Sequence, residues 1–163
     1  MITLVLGGAR SGKSAVAERL ASRLPAPVTY VATATVDPTD TDHRARIAAH
    51  RARRDMTWVT VEAGADLAAV LRSITGTALV DSLGTWVTSA DLRPDARALC
   101  GALTERSGDS IVVSEEVGLG VHPSSELGRR FRDVLGELNL AVAEVADDVQ
   151  LVVAGRVLPL ERP

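Results

Sequence analysis

The residues best suited to chemistry form a phosphate-binding pattern near the start of the chain. The stretch GGARSGKS, from Gly7 to Ser14, fits G-x-x-x-x-G-K-[S/T] and directly follows the apolar run ITLVL. In such a loop the main-chain N–H groups surround phosphate oxygens, and Lys13 reaches the outer phosphates. Lys13 is also the only lysine among the 18 Lys and Arg residues. The predicted phosphate-binding residues are Gly7, Gly8, Ala9, Arg10, Ser11, Gly12, Lys13 and Ser14.

A carboxylate on a second apolar run completes a predicted Mg²⁺ site. Asp81 ends the run TALVD at 77–81, at the place where a P-loop NTPase carries the aspartate that holds Mg²⁺. Ser14 is the second predicted Mg²⁺ ligand. A polar residue that merely ends a strand is the alternative for Asp81. The stretch DSLG at 81–84 also matches the D-x-x-G of GTPase switches. The N-K-x-D that reads guanine in those switches is missing, because the single lysine lies in the loop.

A lone histidine lies in the most basic stretch of the chain, RARIAAHRARR at 44–54. If residues 41–54 form a helix, Arg46, Arg53 and Arg54 share the face of His50, at i−4, i+3 and i+4. One guanidinium about 6 Å from the imidazole disfavours its protonation by about 0.7 to 2.8 kcal/mol, so the ring stays neutral at pH 7. A neutral imidazole among cations is suited to attack phosphorus. A solvated basic helix face is the alternative.

Composition limits the class of protein to which these residues belong. The chain has 163 residues, 46% of them hydrophobic, which predicts a single domain over residues 1–163. A net charge of −3 and an aromatic content of 2% argue against a dedicated nucleic-acid-binding protein. One cysteine, Cys100, excludes a disulfide framework, and no apolar run approaches the ~18 residues of a membrane span. We therefore expect a cytoplasmic protein without nucleic-acid or membrane partners.

The elements that must position the site alternate between strands and helices. Nearly continuous apolar runs predict parallel strands buried on both faces, at 2–6, 28–32, 77–81, 110–114 and 149–154. The alternating run WVTVE at 58–62 predicts an extra strand, which we place at an edge. Amphipathic segments predict helices at 14–24, 41–54, 65–74, 83–106 and 124–146. This order predicts an α/β fold of the P-loop NTPase (RecA-like) type, a doubly wound, mostly parallel sheet with helices on both faces.

Several segments in a fixed order resemble one enzyme family. They are GGARSGKS, YVATAT at 30–35, R-I-x-x-H-R-x-x-R at 46–54, VDSLGTWVT at 80–88, EEVGLGVHP at 115–123 and RRFRDVLGELN at 129–139. Together they resemble the bifunctional adenosylcobinamide kinase / adenosylcobinamide-phosphate guanylyltransferase family of cobalamin synthesis. The likeness extends from about residue 2 to residue 155. The loop motif is generic, whereas the segment around His50 and the E-V-G-x-G followed by Pro123 are specific in combination.

The resemblance implies two reactions at one nucleotide site. Members of this family phosphorylate adenosylcobinamide with ATP or GTP, then pass GMP from GTP through a guanylylated histidine to adenosylcobinamide phosphate. By resemblance, His50 is that nucleophile and Lys13 is the second catalytic residue, with Mg²⁺ as cofactor and a homo-oligomer as the expected assembly. The resemblance places the nucleotide near further residues, which are Thr33, Ala34, Thr35, Arg51, Ala52, Arg53, Glu62 and Asp81.

The chain departs from the family pattern at three positions close to these motifs, the first being Asp55, which stands where R-P is common. Ser89 stands where an asparagine often follows the tryptophan segment, and Glu115 stands where an asparagine usually precedes E-V-G. A second carboxylate beside Glu116 bears on metal or substrate binding in the kinase reaction. Two other functions remain open from the residues alone: a P-loop kinase of another small alcohol, in which His50 is idle, and a regulatory GTP-binding protein.

Overall fold

The computed structural model describes residues 1–34 and 55–162. The strands in this part of the chain are β1 (Ile2–Gly7), β2 (Val28–Ala32), β3 (Val59–Glu62), β4 (Thr77–Asp81), β5 (Ser110–Glu115), β6 (Asp148–Val153) and β7 (Arg156–Pro159). The helices are α1 (Lys13–Ala21), α2 (Leu67–Ser73), α3 (Leu83–Ser89), α4 (Ala96–Glu105) and α5 (Glu126–Val145).

The strands form one sheet in the order β3-β2-β4-β5-β1-β6-β7. Only β7 is antiparallel to its neighbour, and all other adjacent strands of the described sheet are parallel. The carboxyl ends of parallel strands meet at one edge of a sheet, where open α/β folds bind their ligands. β5 lies between β1 and β4, so its last residue, Glu115, separates the end of β1 from Asp81 at the end of β4.

Helices cover both faces of the sheet. α1 packs on one face, against the buried side chains of Val5, Val28, Tyr30, Leu79, Ile111, Val113 and Val152. Buried residues of α2, α3, α4 and α5 pack on the opposite face, around Leu4, Leu6, Val31, Val80 and Val112. The apolar runs of the central strands are therefore continuous because both of their faces are covered.

This architecture confirms the predicted α/β fold and most of its elements. The six predicted strands are present, and the strand at 58–62 is indeed an edge strand, β3. The antiparallel strand β7 was not predicted. The prediction of one helix-like region at 83–106 is wrong, because the chain turns at Asp91 and Leu92, which both have positive φ, and starts a new helix after Asp95.

Some predictions fall on residues 35–54, which lie outside the described part of the chain. They are the helix over 41–54 and five predicted site residues, namely Thr35, His50, Arg51, Ala52 and Arg53. No helix in residues 1–34 or 55–162 has both the length and the apolar character needed to span a membrane.

Candidate functional site

The predicted phosphate-binding loop joins β1 to α1, as its motif requires. Gly12 precedes α1 with a φ of 93°, a left-handed conformation that favours glycine. A Cβ at Gly7 would lie 2.8 Å from the carbonyl oxygen of Val152, so only glycine fits between the loop and β6. The N–H of Gly155 donates to the carbonyl of Ser11 at 2.7 Å. The turn between β6 and β7 is thus hydrogen-bonded to the phosphate-binding loop and supports its conformation.

The side chain of Lys13 lies over this loop. Its residue is only 9% exposed, which is low for a lysine, and its Nζ donates to the carbonyl of Gly8 at 3.4 Å. The same Nζ lies 3.4 Å from Oε1 of Glu115 at the end of the neighbouring strand. The ammonium group is therefore positioned at the mouth of the loop, where outer phosphates bind in loops of this kind.

Asp81 lies next to the first turn of α1, although a whole strand separates β4 from β1. The hydroxyl of Ser14 donates to Oδ1 of Asp81 at 3.4 Å, and the hydroxyl of Tyr30 donates to Oδ2 at 2.7 Å. Within the described ranges, no group of three or more His, Cys, Asp or Glu residues is arranged to hold a metal. Mg²⁺ at a phosphate site takes one or two carboxylates together with phosphate oxygens and waters. One carboxylate and one hydroxyl therefore fit Mg²⁺ bound with a nucleotide.

Glu115 occupies the space between Lys13 and the start of α3. Its Oε2 accepts hydrogen bonds from the hydroxyl of Ser82 at 3.1 Å and from the N–H of Gly84 at 3.0 Å, while Oε1 faces Lys13. A Cβ at Gly84 would collide with this carboxylate. Glu115 thus connects the phosphate-binding loop, the end of β5 and α3.

A buried amide fixes the strand end that carries Glu115. Asn139 of α5 is 8% exposed, and its Nδ2 donates to the carbonyl of Glu115 at 3.0 Å. Its Oδ1 accepts from the hydroxyl of Ser114 at 2.5 Å, and Ser114 has no exposed surface. The last two residues of β5 are therefore both held by α5, Ser114 through its hydroxyl and Glu115 through its main-chain carbonyl.

Two predicted nucleotide-contacting residues follow β2. Thr33 is 1% exposed, and its hydroxyl donates to the carbonyl of Ser82 at 2.6 Å and accepts from the N–H of Ser82 at 2.9 Å. These bonds attach the end of β2 to the start of α3. Both are bonds of the Thr33 hydroxyl to main-chain groups of the protein itself. Ala34 is half-buried beside it. The side chain of Ser89 joins the same cluster by donating to the carbonyl of Thr33 at 3.1 Å.

Glu62 lies farther along the same edge. It ends the edge strand β3, is exposed, and is paired in register with Ala32 of β2, which in turn is paired with Asp81 of β4. Two strand spacings of about 4.8 Å separate Glu62 from Asp81, and about four separate it from β1. Glu62 is therefore about 19 Å from the end of β1, where the phosphate-binding loop begins.

The sequence did not identify several residues that the structure brings to this edge. They are Tyr30, Ser82, Gly84 and Asn139, and Glu115 was recognised only as a departure from a pattern. Ser82 and Gly84 lie just after a strand end, which is a positional signal. Tyr30 and Asn139 carried no such signal, because each reaches the site only through the packing of its own element.

The sheet, the loop between β1 and α1, and Asp81 beside Ser14 together define a protein of the P-loop NTPase fold. A solved structure with this fold, a prototypical ATPase from the type III secretion system of pathogenic bacteria, superposes with a TM-score of 0.58 at 12% identity. The match covers 92% of this chain and 50% of that one, so this chain spans half the length of the ATPase.

The chain belongs to the cobinamide kinase / cobinamide phosphate guanyltransferase family, whose model matches residues 3–160. It is 45% identical to the bifunctional adenosylcobalamin biosynthesis protein CobP of Pseudomonas aeruginosa, covering 99% of this chain and 98% of that protein. It is 35% identical to the bifunctional adenosylcobalamin biosynthesis protein CobU of Salmonella typhimurium, covering 95% and 97%. Membership of this family decides against the two other functions that the residues alone left open.

Proposed function

We propose that this chain phosphorylates adenosylcobinamide and then transfers GMP from GTP to the resulting phosphate, using one triphosphate site. The observation that carries the proposal is the grouping of Lys13, Ser14 and Asp81 at one edge of the sheet. It combines a cation for outer phosphates with a hydroxyl and a carboxylate for Mg²⁺. GTP, with ATP as the possible donor for the first reaction, and Mg²⁺ are the ligands that this set of groups fits.

In the kinase step, the hydroxyl oxygen of the aminopropanol arm attacks the γ-phosphorus. The bond from that phosphorus to the bridging oxygen breaks, and a nucleoside diphosphate leaves. Lys13 and the N–H groups of the loop hold the phosphates and stabilise the charge that develops on their oxygens. Ser14 and Asp81 would hold Mg²⁺, which would neutralise part of the phosphate charge.

In the transferase step, a nitrogen of His50 attacks the α-phosphorus of GTP and pyrophosphate leaves. The phosphate of adenosylcobinamide phosphate then attacks the same phosphorus, and the bond to His50 breaks. A phosphoramidate is labile enough to act as such a relay. This role of His50 is supported by the family resemblance and by the arginines that flank it in sequence.

The nucleoside end of GTP is assigned to the part of the edge away from the loop. A triphosphate anchored at Lys13 that extends over Asp81 directs its nucleoside toward β2 and β3. Glu62 ends β3 and is exposed, so its carboxylate is available to a ribose hydroxyl or a base N–H. Thr33, Ala34, Thr35 and residues 51–53 are assigned to the nucleotide on the resemblance.

Two GTP analogues separate the reactions in one experiment. With a β,γ-imido GTP, we expect a GMP adduct on the protein without phosphorylation of adenosylcobinamide. With an α,β-methylene GTP, we expect phosphorylation without an adduct. Lys13→Ala should lower both rates by about 100-fold or more, because it removes a charge-assisted contact to the phosphates.

Variants of two histidines provide the matched comparison for that experiment. His50→Ala should abolish the GMP adduct and spare phosphorylation. His122→Ala should keep both activities, because its ring is exposed and contacts Arg132. Full GMP transfer by His50→Ala would refute the covalent relay.

The chain is proposed to act as one nucleotide-binding domain over residues 1–163, assembled as a cytoplasmic homo-oligomer. The family match over residues 3–160 supports the single domain. The oligomer is expected from the family resemblance, and the cytoplasmic location from the composition of the sequence. Light scattering coupled to size-exclusion chromatography measures the oligomer directly, and a mass equal to one chain would contradict it.

A further inference from the structure

The carboxylate of Glu115 lies beside the ammonium group of Lys13, which is the group that outer phosphates would contact in a loop of this kind. It lies 3.4 Å from Nζ of Lys13, and the two side chains are only 28% and 11% exposed. The Coulomb attraction between two charges is larger where they are shielded from water than on an open surface. Glu115 is therefore the negative charge that faces Lys13.

Glu115 is held in this position by other parts of the fold. Its Oε2 accepts from the hydroxyl of Ser82 and the N–H of Gly84, and its main-chain carbonyl accepts from Asn139. These three bonds do not involve Lys13. When a triphosphate binds, Lys13 is free to turn to the phosphates, while the carboxylate stays close to them and repels their charge.

We propose that Glu115 is a positioning residue that competes with the nucleotide for Lys13 and thereby weakens nucleotide binding. This inference rests on the proposed binding of a triphosphate at the loop. The competition acts on nucleotide and nucleoside diphosphate alike, so it speeds the release of the product that must leave the site between the two reactions. A neutral amide at this position would hold Lys13 less and would not repel the phosphates.

The test is to neutralise Glu115 while keeping its size. Glu115→Gln retains an oxygen that accepts from Ser82 and Gly84 but loses the charge that faces Lys13. We expect this variant to bind α,β-methylene GTP with Mg²⁺ about 5- to 30-fold more tightly than the wild type in isothermal titration calorimetry, equivalent to about 1 to 2 kcal/mol. Its nucleotide dissociation rate should fall in proportion.

The adjacent carboxylate provides a matched control. Glu116→Gln makes the same change in net charge one residue away, but Oε1 of Glu116 accepts from the N–H groups of Gly118 and Leu119 within its own loop. Its effect on affinity should remain below about 2-fold, because this carboxylate is bonded within its own turn by exposed hydrogen bonds, where solvent screens its charge. An equal gain in both variants would overturn the proposal in favour of a general charge effect.

Glu115→Asn tests whether charge or side-chain bonding matters. It removes the charge and also shortens the side chain, so it loses the bonds to Ser82 and Gly84. If competition for Lys13 is the role of Glu115, this variant also binds nucleotide more tightly than the wild type. Weaker binding in both neutral variants would show a structural role instead and overturn the proposal.

The remaining outcomes separate this inference from the function on which it rests. If wild type and Glu115→Gln bind nucleotide equally, the competition is refuted while the triphosphate site stands. If neither binds nucleotide, the triphosphate site itself is refuted. If affinity is unchanged and the kcat of phosphorylation collapses, Glu115 acts as a base on the substrate hydroxyl, and the competition is wrong.

Discussion

Asn139 provides the sharpest stability prediction, because both ends of its amide are bonded inside the protein. Replacing it with leucine keeps a similar volume but removes the acceptor for Ser114 and the donor for the carbonyl of Glu115. Ser114 has no exposed surface, so water cannot replace the lost partner of its hydroxyl. Two polar groups at the end of β5 are then left without their present bonds.

The cost follows from these two lost bonds. A buried polar group left unpaired costs about 1 to 3 kcal/mol, so the loss of partners for two groups in Asn139→Leu should lower the free energy of unfolding by about 2 to 6 kcal/mol. In a chain of this length, 1 kcal/mol corresponds to a Tm shift of about 2 to 4 °C. We therefore expect the Tm to fall by about 4 to 24 °C.

Urea unfolding followed by circular dichroism measures this change, and a double variant tests its cause. Ser114→Ala removes the hydroxyl that Asn139→Leu leaves unpaired. The double variant should therefore be more stable than the sum of the two single effects predicts, by about 1 kcal/mol or more. A loss below 1 kcal/mol for Asn139→Leu, or strictly additive effects, would refute this account of the β5 terminus.

Other parts of the fold give three further predictions. Gly84→Ala should lower the Tm by about 3 to 10 °C because its Cβ would collide with Glu115, whereas Gly136→Ala, which has open space around it, should leave the Tm unchanged or raise it. Arg106→Lys should lower the urea midpoint, since its guanidinium donates to four main-chain carbonyls of two turns; an unchanged midpoint contradicts this. Burial raises the pKa of the Cys100 thiol, so the rate of its alkylation by iodoacetamide should increase at a higher pH than the rate for cysteine in solution. An increase at a lower pH would contradict this prediction.

The parts of the candidate site that could be predicted from the sequence are those that depend on short, local patterns of residues. The loop from Gly7 to Ser14 needs glycine at particular backbone positions, and strand β4 needs a buried apolar run before Asp81. Both requirements can be recognised in a stretch of only a few residues of sequence. The pairing of Ser14 with Asp81 then follows from the rule that parallel strands end at one edge.

The parts that the sequence missed depend on contacts between distant segments. Lys13 and Glu115 meet only because β5 lies beside β1, and strand order cannot be read from a single run of residues. The break between α3 and α4 was missed because Asp91 and Leu92 adopt positive φ without glycine. Strand β7 was missed because all its residues are exposed, so it shows no buried face.

The central claim is that a triphosphate anchored at Lys13 presents its α-phosphorus to His50. It is tested most directly by finding which residue carries GMP after incubation with GTP and Mg²⁺. Trypsin cuts after Arg46 and Arg51 and releases residues 47–51 with His50 as their only histidine. At alkaline pH, which preserves a phosphoramidate, we predict one GMP on this peptide in the wild type and none in Lys13→Ala. A GMP on another histidine, or no labelled peptide, would contradict the account.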